Sequence, residues 1–148
     1  MCKKTMTWLW RIWSLLYFIL LGYVVFFAGR RPAFHWNPKE SQFRFTPFTM
    51  KWYLYTHANN ISSVYVDIMG NIVMFVPYTL FLYIVFGVRN YWLMMSSAFL
   101  LSVGIETIQY FTGVGYADID DVIFNTFGAL LGVLVIDGVK RCRPVLTT

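Results

Sequence analysis

The sequence predicts an all-α integral membrane protein: a compact antiparallel bundle of four transmembrane helices, with an outer amphipathic interfacial helix between the first and second. Three observations lead there. The chain is 58% hydrophobic, 20% aromatic and only 13% charged, with mean hydropathy +0.57, which leaves too little polar surface to clothe a water-soluble globule. Its long uncharged runs end in Lys and Arg, as membrane flanks do. Finally, the stretch from Glu106 to Gly132 sets four carboxylates and two side-chain amides into otherwise lipid-soluble chain. Charge at that depth is expensive and usually faces a bundle interior or a wet cavity, so these residues are the functional-site hypothesis.

A single domain, 1–148, accounts for the whole pattern. The net charge of +5 is spread over the ends of apolar runs rather than along one face, so the expected partner is the lipid bilayer and nucleic acid is excluded. Cys2 and Cys142 lack any ligand-like spacing. Cys2, beside Lys3 and Lys4, suits acylation.

The first span, about 12–29, follows Lys3, Lys4 and Arg11 and closes at Arg30, Arg31 and Pro32. It is longer than a signal-peptide core and lacks a small-residue cleavage site, so it reads as an anchor that stays. In the outer loop, 30–66, Thr46 and Pro47 resemble an N-cap followed by a first-turn proline. Phe48, Trp52 and Tyr55 then fall on one side with Lys51 off that stripe, which predicts a helix lying at the interface. The second span, about 67–87, is long enough to cross a bilayer. Pro77 inside it should kink the helix or open a backbone gap.

The third span, about 90–111, meets no charge from Tyr91 to Glu106, so about 15 residues give roughly 23 Å of uncharged helix. The bilayer core is about 30 Å thick, so Glu106 and Gln109 must lie at or below the membrane surface. A fourth span, about 118–137, has the same shortfall and draws in Asp121, with Asp118, at one end or Asp137 at the other. Short links between the last three spans favour antiparallel neighbours.

Basic residues set the expected orientation. With both termini cytoplasmic, Lys3, Lys4, Arg11, Arg89, Lys140, Arg141 and Arg143 lie inside, against Arg30, Arg31, Lys39, Arg44 and Lys51 spread over the outer loop. Asp67, Asn71, Glu106, Gln109, Asp118, Asp120, Asp121 and Asn125 then reach one level at the outer leaflet. Spacings of three and four place Asp67 with Asn71, Glu106 with Gln109, and Asp118 with Asp121 and Asn125 on shared helix faces. Gly128 and Gly132 permit close helix approach beneath them.

Four blocks in this order carry a resemblance: FTPF at 45–48, GNIVMFVPY at 70–78, IETIQ at 105–109 and DIDDVIFNTFGALLG at 118–132. From about Arg44 to Gly132 the chain resembles the VanZ-like membrane proteins, named for a teicoplanin-resistance accessory protein. The resemblance implies a bacterial cytoplasmic-membrane protein associated with low-level resistance to lipid-tailed glycopeptides, and it supplies no mechanism. Two features depart from the family pattern. Thr79 stands where many members have glycine, and Gly115 and Tyr116 precede the aspartates where many have arginine. The second departure implies that no fixed local cation neutralises the acids.

For Asn71 and Asn125 the plain reading is hydrogen-bond glue between helices. Glu106 and Asp121 at similar depth ask for more, since two acids repel unless one is protonated or a cation lies between them. The favoured reading is recognition or sequestration of a lipoglycopeptide antibiotic or lipid-linked envelope molecule by Glu106, Gln109, Asp118, Asp120, Asp121, Asn125 and Asn71. Phe111, Phe124, Trp52 and Tyr55 would receive its apolar part, and no cofactor is expected. Two alternatives stay open. One is an intramembrane enzyme with Glu106 and Asp121 as catalytic acids and bases, aided by Mg²⁺ or Ca²⁺. The other is a scaffold for envelope enzymes. His35 and His57 read as surface residues of the loop. The sequence leaves the oligomeric state open.

Overall fold

The computed structural model describes residues 2–26, 43–57, 61–112 and 117–142. Five helices and two very short strands follow in order: α1 (Cys2–Phe26), β1 (Phe43–Arg44), α2 (Thr49–His57), α3 (Ser62–Ile84), α4 (Tyr91–Thr112), β2 (Ala117–Asp118) and α5 (Ile119–Cys142). Four of them, α1, α3, α4 and α5, are long and apolar enough to cross a membrane. Their side chains explain the low polarity of the chain. Trp13, Leu16, Ile19, Trp92, Leu100 and Leu134 point outward, as residues facing lipid tails do.

Small residues make α3 and α5 the closest pair. A methyl group added at Gly128 would collide with the Ile72 carbonyl, and one at Gly132 with Thr79 Oγ1 and the Val76 carbonyl. These contacts advance together along both helices, so α3 and α5 run the same way. Helix α4 runs against them: Ser102 meets Asn125 near one end and Tyr91 meets Lys140 near the other. Between the helices lie Phe75, Tyr78, Ala98, Ile105 and Ala129, then Met94, Val133 and Ile136 further along.

Helix α1 is peripheral. Leu21 is buried in the core, Tyr17 Oη donates to the Met74 carbonyl at 2.8 Å, and Phe18 meets Phe81 edge to face at 5.1 Å. Its other described apolar side chains mostly face outward.

Helix boundaries follow their local chemistry. Gly87, at φ +66°, turns the chain after α3 while the Val88 N–H returns to the Leu82 carbonyl at 3.1 Å. Hence α3 ends before the expected 87 and instead starts five residues early. Asn90 then caps α4, its Oδ1 accepting from the N–H groups of Trp92 (2.9 Å) and Leu93 (3.3 Å), as a side chain at a helix start does. Asp118 caps α5 by accepting from the Asp120 N–H at 3.0 Å. α5 continues past the expected 137 to Cys142. Helix α3 runs through Pro77, with that residue's ladder donor missing. Helix α1 begins at Cys2, its apolar stretch long enough to cross a membrane is Trp8–Val25, and 27–29 lie outside the described residues.

The start of α2 differs from the Thr46–Pro47 expectation. Phe48 adopts φ +61°, a left-handed conformation unusual for an aromatic residue, and its carbonyl accepts the first helical bond from Trp52 N at 2.8 Å. Pro47 therefore precedes the helix instead of opening it. The reason lies across the bundle, where Asp120 Oδ1 takes the Phe48 N–H at 2.7 Å.

Candidate functional site

The acids gather at the end of the bundle where α3 and α5 start and α4 finishes. By helix rise, Glu106 lies about 9 Å from the end of α4. It is only 6% exposed, and Asp118, Asp120 and Asp121 are buried with it. Its Oε2 accepts the Asp118 backbone N–H at 2.8 Å, which ties β2 to α4.

Lys51 brings a cation to two of them, Asp121 and Asp118. Although it sits on α2, outside the apolar spans, it is 8% exposed. Its Nζ donates to Asp67 and to Asp121 Oδ1 at 3.1 Å, and lies 3.9 Å from Asp118 Oδ2. Burial pulls the Lys51 pKa down, but Asp121, Asp67 and Asp118 more than offset that and hold it above the ordinary lysine value. The expectation of no fixed local cation is thus corrected. The missing arginine before the aspartates is matched by a lysine reaching in from a different segment.

Three links tie the 43–57 segment over this end. β1 pairs in parallel with β2, Phe43 opposite Ala117 and Arg44 opposite Asp118. Asp120 holds the Phe48 amide, and Lys51 enters the aspartates. The Phe48 and Phe124 rings meet edge-on at 6.1 Å. Meanwhile Trp52, 67% exposed, stacks on Tyr55 at 5.9 Å, and Tyr55 meets Tyr65 of α3 edge to face at 6.4 Å.

The remaining candidates go elsewhere. Asn125 Nδ2 donates to Ser102 Oγ at 2.8 Å, a bond between α4 and α5 one turn below Asp121. Gln109 Nε2 donates to the Val25 carbonyl at 2.9 Å, fastening α1 to α4 and leaving the acids. Asn71 points a buried Nδ2 that has no hydrogen-bond partner among the described residues. His57 is exposed and stacked on Tyr53 at 4.5 Å, and His35 lies outside the described residues.

Beside the acids opens a groove of about 220 Å³, walled chiefly by Phe45, Phe99, Val103, Tyr110, Phe111 and Val122, with Glu106 and Asp118 as its acids. Of the aromatics expected to receive an apolar group, Phe111 lines this groove; Trp52, Tyr55 and Phe124 do not. Among the described residues no three His, Cys, Asp or Glu side chains are disposed to hold one metal ion. The ammonium of Lys51 lies between Asp67 and Asp121.

Lys51, the β1–β2 pairing and the groove were not read from the sequence. One signal was present. Within Thr49–His57, Lys51 is the single Lys or Arg.

Fold and site together define a small multi-span membrane protein whose acids are gathered at one bundle end, with a lysine from a connecting helix paired to three of them. The chain matches the VanZ/LLP1 family over residues 14–140 and belongs to it. It is similar to Protein VanZ of Enterococcus faecium, with 27% identity over 119 residues, covering 80% of this chain and 67% of that protein. No solved structure matches it.

Proposed function

We propose that the chain recognises an envelope amphiphile at the outer leaflet of a bacterial cytoplasmic membrane, with both termini cytoplasmic. The polar head lies against Glu106 and Asp118 and the tail lies in the adjoining groove. The groove carries this reading, because its wall is mostly apolar and its charged lining residues are Glu106 and Asp118. A tailed molecule already in the bilayer reaches such a groove sideways, and each buried CH₂ contributes about 0.8 kcal/mol. A teicoplanin-type lipoglycopeptide has both parts, a polar head and an acyl tail, in keeping with the resistance role that the resemblance implies.

The test is expression in a susceptible Gram-positive host. Tolerance to teicoplanin should rise while vancomycin susceptibility and the peptidoglycan stem terminus stay unchanged. Val103→Trp, which fills the groove from a partly exposed position, should abolish the gain at an unchanged level of membrane-inserted protein. Equal protection against both drugs would remove the tail from the mechanism, and protection against neither would remove the glycopeptide as ligand.

A further inference from the structure

The bundle end opposite the acids carries a second charged arrangement. Arg89, in the link between α3 and α4, sets its guanidinium carbon 3.8 Å from the centre of the Tyr83 ring and donates from Nη1 to the Tyr83 carbonyl at 3.2 Å. Lys140, near the end of α5, brings its Nζ 4.9 Å from the same ring and 4.8 Å from that of Tyr91. It also donates to Tyr91 Oη at 2.9 Å. Residues from α3, α4, α5 and the intervening link thus hold two cations on one tyrosine.

Like charges gathered this way repel, and ring contacts offset only part of that. Among the described residues neither cation meets a carboxylate within ion-pair distance, and the neighbouring Asp137 is engaged by Arg141 at 2.7 Å. A topology anchor needs charge alone; it does not need two charges oriented by rings and hydrogen bonds. The arrangement lacks only an anion.

We propose that Arg89 and Lys140 bind the phosphate of an anionic phospholipid. Arginine offers phosphate a planar fork and lysine a point charge, and among the described residues the Arg89 fork is engaged only through Nη1. The apolar side chains Phe86, Trp92 and Val139, within three residues of these cations in sequence, are exposed, at or just beyond the ends of helices long enough to cross a membrane. A phosphate held there sits at headgroup level with its acyl chains along an apolar wall, a geometry that fits a lipid and not a soluble ester.

The experiment uses the full chain in zwitterionic micelles, titrated with phosphatidylglycerol or phosphatidylcholine and followed by thermal melting and by lipid retention in native mass spectrometry. Phosphatidylglycerol should be retained with roughly thirtyfold preference, the size expected of two basic residues near a membrane surface. The double change Arg89→Gln with Lys140→Gln should erase the preference, while Arg141→Gln should keep it. Equal retention of the two lipids by the native chain, which requires no variant to fold, overturns the proposal. So does a preference surviving in the double variant. Competition by free glycerol 3-phosphate as strong as by the lipid would overturn the assignment to a lipid.

Discussion

The Nζ of Lys51 donates to Oδ1 of Asp121 at 3.1 Å across 70 positions of sequence. Through this bond the connecting helix α2 closes over an acidic cluster that would otherwise repel itself. Removing one partner of a buried ion pair leaves uncompensated charge.

Lys51→Met should therefore destabilise the protein by about 3–5 kcal/mol, read as a lower melting temperature in detergent micelles. Adding Asp121→Asn to that variant should restore part of the loss, because contacting residues are not additive. A double variant that melts lower by the simple sum of both changes would mean the two groups act independently.

The pH dependence follows from the same residue. Lys51 has its pKa raised above the ordinary 10.5 by Asp121, Asp67 and Asp118 acting against burial. A group raised on folding contributes fully while it is protonated in both states, so its share persists up to about 10.5 and is lost as pH climbs through the folded value. Melting temperature should show that high-pH fall in the native chain and a smaller one in Lys51→Met. Identical profiles above 10.5 would assign the loss to other groups.

Glu106 separates folding from function. Glu106→Gln retains a carbonyl that accepts the Asp118 N–H, so the melting temperature should hold within about 1 kcal/mol of equivalent stability. The protection proposed above should nevertheless vanish, because the head-binding charge is gone. Intact protection in this variant would remove Glu106 from the site.

At Phe48 the backbone, more than the ring, is the expected determinant. Phe48→Gly loses the edge-on contact with Phe124, worth about 0.5–1.5 kcal/mol, but relieves a left-handed residue that costs about 1–3 kcal/mol. Stability should change little. Phe48→Pro deletes the N–H that Asp120 accepts and forbids the positive φ, so the variant should melt well below the native chain. A reversed order of the two would mean the ring, not the amide, holds this segment.

Orientation is checked by labelling. In a background with Cys2 and Cys142 changed to Ser, a cysteine at Thr56 should react with an impermeant reagent on intact cells and one at Val88 should not. Reaction at Val88 alone would put the acids at the inner leaflet and end the outer-leaflet reading.

Periodicity and charge were enough to find the four long helices, because lipid imposes one rule on every span: satisfy the backbone internally and face apolar atoms outward. The α4 boundary fell within a residue for that reason. Glu106, Asp118, Asp120 and Asp121 were legible through their cost in such chain. What escaped were relations set by tertiary contact. Nothing local announces that Lys51 turns inward, that Asp120 bends Phe48 into a left-handed conformation, or that 43–44 pairs with 117–118. Gln109 shares a helix face with Glu106, yet it finds the carbonyl of α1, since its neighbour in space is decided by packing and not by spacing.

The contact of Gly128 and Gly132 with α3 has a consequence for genetics. Any substitution there adds at least a methyl group against a main-chain carbonyl or the Thr79 hydroxyl, so random mutagenesis should return both codons as loss-of-function alleles beside those of the acids. The two classes separate by abundance: glycine alleles should deplete the protein from the membrane, whereas Glu106→Gln should leave it present and silent. Ranking alleles by phenotype alone would mistake the seam between α3 and α5 for part of the binding surface.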